Sequence, residues 1–319
     1  MPTDPIGGAV TARRPGSASP GADDAGPSAR RRRRRGALTP YLFVAPFLAA
    51  FFLFLLWPIV NAFISSLFVE RLVGGRSFAG GSNYARVWSD PLFWAGVRRV
   101  IVFGVVQITV MITLATAFAI AIDRMTSKLR EVFRLGIFLP FAVPSAVAAL
   151  MWGFLYSRNI GPAPEIAALF GADAPNLLSA DIILWSIGNI VTWSFVGYNM
   201  IIIYAALTTV PHDVYEAAAI DGATNWQTTR RVTLPLIRPA LLLATVFSII
   251  GTLQLFNEPM ILRQIAPQAI DSAFTPNLYA FNLSFVSQDL PYAAAVSFII
   301  GVVAFILSYV FMMSSRGDA

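Results

Sequence analysis

The chain has 319 residues, 56% of them hydrophobic and only 13% charged, with a mean hydropathy of +0.66. A soluble domain carries about 25% charged residues, so this chain has too little polar surface to cover itself in water. It has no cysteine, one histidine (His212) and one lysine (Lys128). Disulfides, iron–sulfur clusters, clustered-histidine metal sites and bis-histidine haem are therefore excluded. Lys128 follows Arg-Met-Thr-Ser and not glycine, so the usual phosphate-binding loop is excluded as well. No catalytic residue, cofactor or metal is expected, and if ATP drives the protein, another subunit binds it.

Residues 1–36 are rich in Pro, Gly, Ala, Ser, Asp and Arg and can bury almost nothing, which predicts a disordered, Arg-rich cytoplasmic tail. Eight of the 23 Lys and Arg residues lie there, at Arg13, Arg14 and Arg30 to Arg35. The run reads as an anchor to anionic membrane lipid, at roughly 1 kcal/mol per Arg, in preference to a nucleic-acid patch, and no nucleic-acid partner is expected. Tyr41 to Phe68 is too long for a signal-peptide core and lacks a small-residue cleavage site, so it reads as an uncleaved first span.

Further apolar blocks follow at Val100–Ile122, Ile137–Tyr156, Ile182–Leu207, Ala240–Leu255 and Tyr292–Met313. About 20 helical residues cross the hydrocarbon core. The pattern predicts an all-α integral membrane protein with a transmembrane domain over 37–314. Its six spans fall at 41–68, 98–122, 135–157, 181–208, 239–262 and 291–313, the fifth reaching full length only through Asn257 to Leu262. With the tail inside, the inner loops collect Arg124, Lys128, Arg130, Arg134, Arg230, Arg231, Arg238 and Arg316. The outer loops hold Arg71, Arg76, Arg86, Arg98, Arg99, Arg158 and Arg263. The tail decides the balance and puts both termini in the cytoplasm. Pro140 and Pro144, early in the third span, predict a bend there, either a structural kink or part of a gate.

Ionisable side chains are absent from the second, third and fourth blocks, and Asp123, Asp181 and Glu258 stand at block ends. That disfavours the runner-up, an ion-coupled secondary carrier for a neutral polar solute, which usually needs carboxylates or histidines within the membrane. It also disfavours an intramembrane hydrolase. The interior offers Asn61, Gln107, Trp152, Asn189, Trp193, Asn199, Gln254 and Asn257. Amides hydrogen-bond hydroxyls and aromatic rings stack on sugar faces, so this set suits a neutral polyhydroxylated solute. For any single residue the structural role comes first: an amide ties neighbouring helices together, and a Trp sits at the membrane interface. Gln254, Asn257 and Glu258 form the closest polar group at the end of an apolar helix. Pro259 follows at once, which predicts distorted backbone with free carbonyls.

The loop over 209–238 has a different character. It reads as a short helix opened by Pro211 and Asp213, an interruption at Gly222, and a second helix ending near Pro235. Ala217, Ala218 and Ala219 leave one side of the first helix small enough to enter a groove on a partner. Two short helices on an inner loop without a catalytic set suggest docking.

This loop resembles the EAA motif of permease subunits of binding-protein-dependent ABC importers: Glu216-Ala217-Ala218, Gly222 after three intervening residues, then Val232 and Leu234-Pro235 at the motif's spacing. Asp221-Gly222-Ala223 is similar to the carbohydrate branch, with its maltose-type and glycerol-3-phosphate-type permeases. The likeness extends to Asn83-Tyr84, Asp90-Pro91, Leu139-Pro140 and Phe256-Asn257-Glu258. It departs at Thr229 and Arg230, where many relatives carry an aromatic, and after Leu262, where Gly-Gly-Pro is replaced. The resemblance implies a permease subunit carrying a sugar or small oligosaccharide across a bacterial cytoplasmic membrane. Its partners would be a sister permease, two cytoplasmic ATPase subunits and an external solute-binding protein. Glu216, Ala217, Ala218, Asp221, Gly222, Leu234 and Pro235 would dock the ATPase, and Gln254, Asn257 and Glu258 would line the substrate path.

Overall fold

Apolar blocks become unbroken helices wherever no proline or polar break interrupts their hydrogen-bond ladder. The computed structural model describes residues 41–71, 74–169, 171, 173 and 175–316; the Arg-rich tail expected over 1–36 lies outside the described residues. The first helix, α1 (Tyr41–Ser66), carries a π-helical stretch at Phe52–Leu56. The chain divides into two units, Met1–Val60 and Asn61–Ala319. In the first, the rings of Phe47 and Phe51 stack with centroids 6.1 Å apart.

After the end of α1, the second unit adds one short hairpin to an otherwise helical chain, a feature the expected all-α fold did not include. β1 (Phe68–Arg71) pairs antiparallel with β2 (Gly75–Phe78), Phe68 opposite Phe78 and Val69 opposite Ser77. The Phe68 and Phe78 rings meet edge-on at 5.5 Å and the Arg76 guanidinium lies 4.3 Å over Phe68, cross-strand contacts that stabilise short strands. Next, α2 (Ser82–Ser89) presents Asn83, whose Nδ2 donates to the carbonyls of Ser66 and Phe68 at 2.8 and 2.7 Å. The long α3 (Pro91–Asp123) starts on the Asp90 carboxylate, which accepts from the amides of Leu92 and Phe93 at 2.9 and 3.4 Å.

The third apolar block is two helices. α4 (Ser127–Phe138) tightens into a 3₁₀ turn at Leu139–Ala142, and α5 (Ser145–Tyr156) leaves at 96° to it. Pro140 sits inside the 3₁₀ turn and Pro144 has extended backbone (φ −55°, ψ 134°), so the α-helical ladder stops between them. The bend expected there is a complete break. α6 (Ala163–Leu169) is a short loop helix and α7 (Ile183–Leu207) a long one. α8 (His212–Ile220) and α9 (Asn225–Leu236) form the two-helix loop, α9 running through Pro235 to Leu236 and containing a π-helical stretch at Thr229–Thr233. α10 (Arg238–Leu253) departs from α9 at 70°.

The fifth block also breaks. α10 ends at Leu253, residues 254–256 are irregular, and α11 (Asn257–Ile265) begins anew. Pro259 lies in the first turn of α11, where a missing N–H costs nothing, so it helps start a helix and does not distort one. α12 (Pro276–Phe285) and α13 (Leu290–Arg316) complete the chain. By length and hydropathy, α1, α3, α7 and α13 can each cross a membrane, and the count reaches six if each bent pair, α4 with α5 and α9 with α10, is one span.

In this unit α3 and α7 pair most extensively, α10 packs across α3, α7 and α13, and α11 packs on α5. Gly197 on α7 lies against the backbone of Ile137, whose carbonyl a Cβ would strike. Met111, Ala115 and Ala119 of α3 close on Met200 and Ile203 of α7. The outward faces are as apolar as the interior: Val105 is 66% and Phe305 71% exposed, whereas Gln107 and Asn199 are buried. Such a surface suits hydrocarbon, not water.

One polar knot joins distant parts of the chain. Asp90 Oδ2 accepts from the hydroxyls of Tyr279 and Tyr292, each at 2.6 Å. Arg86 pairs with Asp289 at 2.7 Å and lies 3.7 Å over the Tyr292 ring. Burial pushes the Asp90 carboxyl up, but the two hydroxyls and the Leu92 and Phe93 amides outweigh it and hold it below its ordinary value. Burial, followed by the bond to Asp90, pushes Tyr279 up to about 12.

Candidate functional site

The two helix breaks meet. Asn257, first residue of α11, donates from Nδ2 to Ser145 Oγ, first residue of α5, at 2.9 Å. Helix starts and ends leave backbone groups without partners, and here neighbours supply some of them. Asn277 Nδ2 donates to Leu253 O at 2.6 Å, and Thr275 Oγ1 to Leu255 O at 3.0 Å. The fold thus pins α12 beneath the end of α10 and keeps residues 254–256 from continuing the helix.

Beside these breaks lies a cavity of about 320 Å³ between α3, α7 and α10. Gln254, Asn257 and Glu258, singled out from sequence, all line it, together with Gln107 and Asn199. Gln254 and Asn257 are exposed and Glu258 is buried. Of the other residues read as possible lining, Trp152 and Trp193 pack edge to face at 5.9 Å and Asn189 donates to the Tyr156 hydroxyl at 2.7 Å. These three, like Asn61, do not border the cavity.

Ser145, Tyr198, Phe247 and Ser248 also line the cavity, and no sequence pattern linked them to it. The Tyr198 ring stacks on Phe141 at 4.9 Å. Gln107 Nε2 donates to Thr192 Oγ1 at 2.7 Å, and Asn199 Nδ2 to Phe195 O at 3.1 Å. Asn199 Oδ1 and Ser248 Oγ are buried without a hydrogen-bond partner among the described residues. An acceptor left so costs about 1–3 kcal/mol until something donates to it. The lining has amides, hydroxyls and rings, one carboxylate, and no Lys, Arg or His. It can bind hydroxyl groups and stack on a ring, and it has no cation with which to hold an anion.

The second candidate site is the two-helix loop. α8 ends in a Schellman closure: the Ala223 amide donates to Ala218 O at 3.0 Å and the Gly222 amide to Ala219 O at 3.1 Å. Gly222 has φ 75° with open space around its Cα, so left-handed backbone, not crowding, calls for glycine there. Thr224 caps α9 in a capping box with Gln227. Glu216, Ala217, Asp221 and Pro235 are exposed, Ala218 is buried, and Leu234 packs partly into the core below. Ile220 and Trp226, which the motif does not include, are 86% and 69% exposed on the same loop. A cavity of about 600 Å³ separates the loop from the ends of α3 and α7.

Residues 115–316 match the family of binding-protein-dependent transport system inner membrane components. The chain belongs to this family. It is 32% identical over 290 residues to the lactose transport system permease protein LacF of Rhizobium radiobacter, covering 86% of this chain and 93% of that one. The arabinooligosaccharides permease AraP of Bacillus subtilis (strain 168) is 28% identical, with 85% of this chain and 86% of AraP covered. The trehalose/maltose permease MalF of Thermococcus litoralis is also 28% identical, with 88% and 95% covered. In fold, the chain matches a bacterial ABC transporter for import of the acidic polysaccharide alginate, with a TM-score of 0.79 at 20% identity over 91% of this chain and 98% of that one. An inner membrane component of this family is a multi-pass transport subunit of the cytoplasmic membrane and not an enzyme. Membership favours an importer over the ion-coupled carrier.

Proposed function

We propose that this inner membrane component is one of two permease subunits of an ATP-driven importer for a neutral sugar or small oligosaccharide. The observation that carries the reading is the cavity at the helix breaks, where amides, hydroxyls and aromatic rings converge without a cation. The names of its relatives, permeases for lactose, arabinooligosaccharides and trehalose/maltose, support the same solute class. A sister permease would complete the path. An external solute-binding protein would deliver the sugar, as suggested by the alginate transporter solved with its pentasaccharide-bound periplasmic protein.

In this reading six spans place both termini and the two-helix loop in the cytoplasm, where Glu216 to Pro235 dock against one of two ATPase subunits. Closure of the ATPases tilts α8 and α9, the spans follow, and the cavity opens outward; hydrolysis resets it. No residue of this chain does chemistry. Its work is to bind solute differently in two conformations. The complex should be reconstituted in vesicles with ATP inside and loaded binding protein outside. Uptake of a neutral disaccharide that requires ATP and survives collapse of proton and sodium gradients supports the proposal. Uptake driven by either gradient without the ATPase subunits overturns it.

A further inference from the structure

A cavity of about 600 Å³ lies beneath the two-helix loop, and the sugar path does not use its lining. Four parts of the fold meet around it: the end of α3 with Asp123 and Arg124, Arg130 on α4, Thr208 after α7, and both loop helices. α8 turns His212, Tyr215 and Ala219 toward it, a stripe at i, i+3 and i+7. Glu216, Ala217 and Ile220 stay exposed outside that stripe, so a partner can dock on α8 without filling the cavity. α9 contributes Asn225, Thr228 and Thr233.

The charges are arranged for an anion. Arg124 Nη2 donates to Thr229 Oγ1 at 3.0 Å, which fixes its guanidinium against α9. Arg130 Nη2 donates to the carbonyls of Asp123 and Met125 at 2.8 and 3.1 Å, while its Nε is buried with no hydrogen-bond partner among the described residues. A guanidinium has five donors, and each arginine retains several. One carboxylate, Asp123, opposes the two arginines. The Tyr215 hydroxyl and the Asn225 amide add neutral donors, whereas the Thr208 and Thr228 hydroxyls already donate to the carbonyls of Ala205 and Thr224. Two forked cations beside these donors match the tetrahedral oxygens of a phosphate group.

We propose that this cavity binds a phosphate-bearing ligand that bridges the two-helix loop to the ends of α3, α4 and α7. A ligand there restrains the loop against the spans and so tunes how motion passes between them. The same chemistry is offered by a free phosphate compound and by the headgroup of an anionic lipid. The binding site stands whether or not the loop docks an ATPase, and its test reads binding and not transport.

The test uses the whole transporter complex, without nucleotide, in nanodiscs of phosphatidylcholine alone or of equal parts phosphatidylcholine and phosphatidylglycerol. Inorganic phosphate is titrated calorimetrically in the first, and phosphatidylglycerol retained by the complex is counted by native mass spectrometry in the second. Arg124→Gln and Arg130→Gln should each weaken one of the two by about tenfold, the size of a lost charge-assisted contact. Asp123→Asn should tighten the same one, which general damage to the fold would not do. Weaker phosphate binding identifies a soluble ligand, and lost phosphatidylglycerol identifies a lipid. If both arginine variants match wild type with both probes, or Asp123→Asn weakens binding as they do, the proposal is overturned.

Discussion

Single side chains give the most direct tests, because several have one geometric task. Gln254 and Asn257 border the cavity at the helix breaks, and both are exposed. Replacing either by Ala should raise the apparent transport constant by about two- to tenfold, the loss of one neutral hydrogen bond, with protein levels held equal; unchanged uptake kinetics in both would move the site to the sister subunit. Glu216 makes no hydrogen bond or ion pair among the described residues and stands exposed on α8. Glu216→Arg should leave the protein inserted yet abolish most substrate-stimulated ATP hydrolysis, measured beside uptake; near wild-type values for both would remove its docking role. Asp90 is different, since its task lies in the fold. Its carboxyl is held below the ordinary 3.8, so its contribution is complete above that value and fades as the pH falls through the folded value. Tyr279 is raised from 10.0 to about 12, so its share is complete below pH 10.0 and fades as the pH climbs toward 12. Asp90→Asn keeps a helix cap and removes the charge. It should lower the melting temperature of the complex by about 2–4 °C at neutral pH and by progressively less as the pH falls below 4, measured by intrinsic fluorescence.

Among the elements, the turn at Gly222 separates two explanations of a glycine. Its φ of 75° with open space around it means that any L side chain pays in backbone strain, and β-branched ones most. Coupling, read as the ratio of uptake to ATP hydrolysis, should fall in the order Asn, Ala, Val at this position; equal tolerance of Val and Ala would show that the αL closure is dispensable. The helices α1, α3, α7 and α13 were legible in sequence because each is a long, predominantly apolar run, and α1 stays helical through Pro46 and Pro58. The breaks were less so. Pro140 and Pro144 announced a bend, but its 96° size depends on a 3₁₀ turn that local propensity does not encode. At residues 254–256, where α10 ends, Thr275 and Asn277 take up the carbonyls of Leu255 and Leu253, 20 and 24 positions earlier. The hairpin escaped notice because each strand is four residues long and includes Glu70, Arg71 or Arg76, too short and too charged to register as alternation. In the site, Gln254, Asn257 and Glu258 could be seen as a cluster, and Ser145 could not, since 112 residues separate it from the Asn257 it bonds.

At the scale of the molecule, topology is the expectation most open to direct measurement. The chain has no cysteine, so single cysteines can be placed without a background. Ile220→Cys on the two-helix loop should react with a membrane-impermeant maleimide only after permeabilisation, and Trp88→Cys on α2 before it; the reverse pattern would invert the six-span reading. The two share high exposure, 86% and 70%, which makes the comparison fair. One structural feature also governs how the protein is made. Asp90 is bonded to tyrosines 189 and 202 positions later, so during synthesis its carboxylate leaves the ribosome long before its partners exist. Until α12 brings Tyr279, a helix cap that the finished fold depends on is held only by its own two amides, and its second hydroxyl arrives with Tyr292 on the final helix. Membrane-inserted chains that stop short of Tyr292 therefore expose an unfinished junction, and such chains should be the ones that cellular proteases remove first.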